Sequence, residues 1–148
     1  MDFELDYSEM IHLDAEDLAE QGIRDGYERL LPTLRRYVKE PNDITEIVDP
    51  EAPRYVVRHR DVEYVIYGPE IEDEGGRSWG DAMYALFAIV NAQLINSPYR
   101  FYAFYGGNDL AGMFLTSEQC DAAKKTLEDK GHWPYLPTAD YPYYGQET

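Results

Sequence analysis

The chain is 148 residues long, enough for one domain to bury roughly 68–70% of the surface its unfolded form exposes. Its 29 acidic and 13 basic residues leave a net charge of −16, a field that repels nucleic acid and anionic lipid and speeds encounter with a cationic protein. An apolar fraction of 44% with 14 Tyr, 5 Phe and 2 Trp excludes disorder of the whole chain, and the single cysteine, Cys120, excludes an internal disulfide.

Residues 1–12 form an acidic arm in which Phe3, Leu5 and Tyr7 alternate with Asp2, Glu4 and Asp6 at strand period, which predicts an edge strand or a docked extended segment. No apolar segment follows a basic N-terminus, so a secretory leader is not expected and a cytoplasmic protein is. Asp14 as N-cap, Asp17 in the first turn and Leu13 with Leu18 across the cap announce a first helix. Ile23, Tyr27, Leu30, Leu31, Leu34 and Val38 continue it on one face, and Arg35, Arg36 and Lys39 gather near its negative end. Pro32 lacks an amide hydrogen, so the spacing predicts a kink or two abutting helices there, ending by Pro41.

Ile44 to Val48 reads as a short strand. Arg54 to Tyr67 reads as two antiparallel strands turning at His59 to Asp61. Residues 70–76, EIEDEGG, read as a solvated loop, and Ser78 with Asp81 suggests a capping box. Trp79 to Ile95 is apolar on nearly every face, the pattern of a central buried helix, with Asn91, Gln93 and Asn96 toward its far end. Its longest apolar run, Ala82 to Val90, falls well short of the roughly 20 residues a membrane span needs.

Tyr99 to Tyr105 and Leu110 to Leu115 form a second hairpin around Gly106, Gly107, Asn108 and Asp109, in which the glycines supply positive φ. Thr116 and Gln119 then cap a third helix running to about Lys130 and ending at Gly131. Residues 132–148, with three prolines, predict an extended tail whose Trp133, Tyr135 and Leu136 pack on the domain. The whole describes one α+β domain, 1–148, with an antiparallel sheet of four to five strands from two hairpins, packed with three helices of which the middle one is buried.

The residue types that carry chemistry do not assemble in this pattern. Cys120 falls in the first turn of the third helix, where it serves as an apolar staple. His12, His59 and His132 have no spacing that puts two on one face, so no zinc site is expected. The acids at 70–74 do not alternate as a calcium loop does, and Gly106 and Gly107 join two strands rather than a strand to a helix N-terminus, so they do not form a phosphate loop. The expectation is a non-catalytic protein without cofactor or metal.

Size, charge, the helix–hairpin–helix order and the segment Tyr105 to Thr116, YGGNDLAGMFLT, give the chain a resemblance to the immunity proteins that bacteria carry against polymorphic or contact-delivered toxins. The resemblance implies direct binding to a basic toxin domain, such as a nuclease whose cleft accepts carboxylates in place of phosphates around aromatic anchors. On that reading the partner surface draws on Glu70, Glu72, Asp73, Glu74, Asp109, Tyr141, Tyr143 and Tyr144. Two other readings stand beside it. One is a small-molecule binder or enzyme whose aromatic pocket lies between sheet and buried helix with Asn91 or Gln93 as polar anchors; the other is a subunit that dimerises through a strand edge.

Overall fold

A computed structural model describes residues 4–69 and 77–147. In chain order the elements are β1 (Ile11–His12), α1 (Ala15–Glu20), α2 (Ile23–Leu34), β2 (Thr45–Asp49), β3 (Arg54–His59), β4 (Val62–Tyr67), α3 (Arg77–Ala92), β5 (Tyr99–Phe104), β6 (Ala111–Thr116) and α4 (Ser117–Thr126). The α+β class and both hairpins are as the sequence predicts. The single sheet is not.

There are two antiparallel three-stranded sheets, ordered β1-β6-β5 and β2-β3-β4. The central strands β6 and β3 have both edges taken by their own neighbours. Helix α3 lies against β4 and β5 and against α1 and α2, so the hairpins meet through a helix rather than edge to edge. Its buried residues Ala82, Met83, Ala85, Leu86, Phe87, Ile89 and Val90 point in several directions because it has packed neighbours on several sides. Phe87 stacks on Phe101 of β5 at 4.6 Å, and Phe101 meets Phe114 of β6 at the same distance, so the space between α3 and that sheet is filled.

The first helix breaks at Gly22, not at Pro32. Gly22 has φ 105°, a conformation that side chains strain to adopt, and it separates α1 from α2 and forms the N-cap of the latter. Pro32 sits in the last turn of α2, and the Arg35 amide donates to the Leu31 carbonyl at 2.9 Å just beyond it, so the missing amide does not interrupt the helix. The arm also differs from its pattern: Tyr7–Glu9 form one 3₁₀ turn capped by Asp6, and the edge strand is only β1, paired to β6.

Ser78 lies inside α3 rather than capping it, and Asp81 accepts a hydrogen bond from a distant tyrosine instead. Thr116 and Gln119 do form a reciprocal capping box on α4. That helix stops at Thr126, short of Lys130, because Leu127 turns extended and its carbonyl is taken by the Trp133 indole at 2.8 Å.

The tail docks through Trp133, Tyr135 and Tyr144, whereas Leu136, expected to pack, is 43% exposed because its strand-like neighbour Tyr135 takes the inward side. Tyr135 exchanges backbone hydrogen bonds with Ala103 at 2.8 and 3.0 Å, covering part of the β5 edge that would otherwise expose unpaired backbone. Tyr144 is 4% exposed.

Candidate functional site

The surface around α1 combines aromatic rings and carboxylates, and the local chemistry explains why. Asp14 adopts φ 61° and its carboxylate accepts from the Glu16 and Asp17 amides, which starts α1 sharply. The Leu13 amide donates to the Leu110 carbonyl at 2.9 Å, tying this helix start to the turn before β6. In that turn Tyr105 and Gly107 take positive φ, at 61° and 58°, whereas Gly106 is extended, so only one of the two glycines meets the expectation. Asn108 then donates to Asp14 at 3.1 Å and to Glu16 at 3.2 Å, clipping the turn to the helix.

On one side of α1 a groove of about 380 Å³ is lined by Ala15 of α1, Trp79 and Met83 of α3, Gly107 of the turn, and Tyr135, Tyr141 and Tyr143 of the tail. On the other side an open cleft of about 620 Å³ runs between α1 and α2, lined by Asp17, Asp25, Glu28 and Arg29. Helix α1 is the wall between them. Ion pairs of the described residues include Glu28, Asp43 and Glu46 with Arg24, Glu9 with Arg36, Glu63 with Arg58 and Asp81 with Arg77, and Asp129 stands 3.7 Å from His132. Among the described residues no basic side chain pairs with the exposed Asp17, Glu20, Asp25 or Asp109, so their charge faces solvent.

The tail tyrosines divide by role. Tyr141 and Tyr143 are 45% and 63% exposed and wall the groove. Tyr144 turns inward: its hydroxyl reaches the Asp81 carboxylate at 2.9 Å and the Arg77 carbonyl at 3.1 Å, and burial with the Asp81 charge pushes its pKa well above the usual phenol value. It is therefore an anchor of the tail rather than a surface contact. Arg77 lies over the Tyr141 ring at 5.6 Å. Asp109 closes the 3₁₀ turn whose Gly107 lines the groove. Glu70, Glu72, Asp73 and Glu74 lie outside the described residues. Sequence reasoning missed Trp79, Met83 and Glu16 as parts of this face. The clue lay in Trp79, a large aromatic in the first turn of α3, ahead of the helix's buried stretch.

Elsewhere the groups that carry chemistry are held in structural bonds. Cys120 is buried against the Pro134 carbonyl at 4.0 Å, and burial pushes its thiol pKa up, away from the thiolate a nucleophile needs. His59 is 2% exposed and shares Asn42 with Arg60, each at 3.0 Å from its side-chain oxygen. Asn91 bonds both backbone groups of Phe101, and Gln93 bonds the Asn42 amide and the Tyr27 hydroxyl, so neither presents a free polar group toward a ligand. Among the described residues no three His, Cys, Asp or Glu side chains gather as a metal site, and no helix is long and apolar enough to cross a membrane. No family model, curated protein or solved structure matches the chain.

Proposed function

We propose that this chain is a non-catalytic protein-binding protein of the immunity type, which neutralises a basic toxin domain by direct association through the face built around α1. The observation that carries the reading is the pair of features that α1 separates: on one side aromatic side chains that can be desolvated at the centre of an interface, and on the other the carboxylates of Asp17 and Asp25, which no basic side chain pairs among the described residues. Aromatic anchors supply interface energy, and the surrounding charge supplies encounter rate and selectivity for a cationic surface. The net charge of −16 extends the same preference beyond contact distance, within the roughly 8–10 Å over which salt screens it.

Capture of a cationic partner from the native cytoplasm, followed by association rates over a salt series, tests the proposal. Asp17→Asn, Glu20→Gln and Asp25→Asn together are expected to slow association about tenfold at low ionic strength and to flatten its salt dependence, with little change in fold because all three are exposed. A partner that binds the triple variant with unchanged rate and slope would remove this face from the proposal.

A second reading rests on β2, an edge strand with Val48 60% exposed and Ile47 37% exposed. Pairing of two copies there would give a dimer, opposed by the like charge of each copy. Mass by light scattering over a concentration series separates the two: a constant monomer mass eliminates the dimer.

A further inference from the structure

We infer that the groove beside α1 is a pocket for one cationic side chain, the guanidinium of an arginine or the ammonium of a lysine, presented by the partner protein; the inference rests on the protein-binding reading above. Its volume of about 380 Å³ and its open side admit a side chain presented from another surface.

The lining decides which side chains. Trp79, Tyr135, Tyr141 and Tyr143 offer rings whose faces carry negative potential, Met83 adds a polarizable sulfur, and among the described residues no Lys, Arg or His lines the groove. Carboxylates stand next to the lining in the chain, Asp14 and Glu16 on either side of Ala15 and Asp109 two residues after Gly107, while Arg77, the cation beside the wall, is already taken up by the Tyr141 ring. The ring faces and the net charge of −16 both repel an anion and both favour a cation over a neutral group of the same shape.

The protein's own use of its rings supports the same chemistry. Trp133 is flanked by Lys124 and Lys130, each 5.7 Å from the ring centre, and Tyr141 by Arg77 at 5.6 Å. Among the described residues no cation lies over Trp79 or Tyr143, although Tyr143 is 63% exposed. These two are the rings of the groove still open to a cation from outside.

The test uses the whole chain and two short blocked peptides, Gly-Arg-Gly and Gly-citrulline-Gly, which share a shape and differ in charge. The Trp79 and Trp133 indole N–H signals are followed by NMR at low ionic strength. The arginine peptide is expected to shift the Trp79 signal saturably and leave Trp133 in place, with citrulline at least tenfold weaker. Tyr143→Ala, at an exposed position, is expected to lower the arginine affinity several-fold, while Trp133→Phe leaves it unchanged. Equal binding of the citrulline peptide, or no saturable shift at Trp79, overturns the inference. A cationic partner whose salt-dependent association is untouched by Tyr143→Ala would sink the pocket and leave the protein-binding reading intact; saturable arginine binding without any capturable partner would uphold the pocket and sink that reading.

Discussion

Gly80 is the fourth residue of α3 (Arg77–Ala92), where helix propensity alone predicts that alanine should stabilise by up to about 1 kcal/mol. The packing predicts the opposite sign. A Cβ at Gly80 would stand 2.0 Å from Tyr144 Cε2 and 2.3 Å from Cζ, against an ordinary carbon contact of about 3.5–4.0 Å, so the ring must retreat by about 1.5 Å or more. A shift that large carries its hydroxyl out of reach of Asp81, which it now meets at 2.9 Å. Ejecting Tyr144 forfeits about 1.5–3 kcal/mol of apolar burial and about 1.5–3 kcal/mol for a hydrogen bond to a carboxylate. Set against the propensity gain, Gly80→Ala should destabilise by about 2–5 kcal/mol, with the docking free energy of the tail as the ceiling. In a Tyr144→Ala background the clash is gone and the same substitution should stabilise by up to about 1 kcal/mol. Urea unfolding of the four members of this cycle, followed by tryptophan fluorescence, reads both numbers. The same sign for Gly80→Ala in both backgrounds would refute the claim that Tyr144 is held against α3.

His59 gives a pH prediction. Burial, and then the nearby Arg60 charge, lower its pKa below the usual histidine value, so the folded state binds fewer protons than the unfolded state once pH falls toward about 6.5. Its contribution is therefore fully present above that pH and is lost as pH falls toward the lowered folded value; urea midpoints at pH 7.5 and 5.5 should diverge less in His59→Gln than in the wild type, and equal divergence would count against this role. Tyr55 gives a stability prediction. Its hydroxyl donates to the Glu46 carboxylate and accepts from the Ile23 amide at 2.8 Å, so Tyr55→Phe leaves a buried helix-start amide without a partner and should cost about 1–3 kcal/mol by chemical denaturation. A change within about 0.5 kcal/mol would show that water replaces the hydroxyl.

The elements that announced themselves in sequence are those whose signals are local. The Thr116 and Gln119 box, the turn of Arg60 and Asp61 between β3 and β4, and the all-round apolar pattern of α3 each depend on a few neighbouring residues, and each is present. The break at Gly22 was not legible because its cause is distant: the glycine packs against Glu46 and Tyr55, where an added Cβ would stand 2.9 Å from a Glu46 carboxylate oxygen. Pro32, the louder local signal, was outweighed because an α2 ending at Leu34 needs little from the amide it lacks. Two sheets rather than one followed from the position of α3, and no periodicity within a strand records which other strand lies beside it.

For the candidate site the same division holds, and it bears on how the face would work. The tail tyrosines stood out by composition, yet their spacing could not show that Tyr144 points at Asp81 while Tyr141 and Tyr143 point outward. That split makes the tail a wall with its own fixings: Tyr135 ties it to β5, Tyr144 ties it to α3, and the exposed rings between these anchors are held in place before any partner arrives. Rings ordered in advance lose less conformational freedom on binding than rings on a free tail, by about 0.5–1.5 kcal/mol for each side chain already immobilised. On the proposed binding reading, loosening the tail at Gly80 should therefore weaken association even though Gly80 itself lies beneath Tyr144, and it should do so through faster dissociation, because the acids proposed to steer encounter stay where they are.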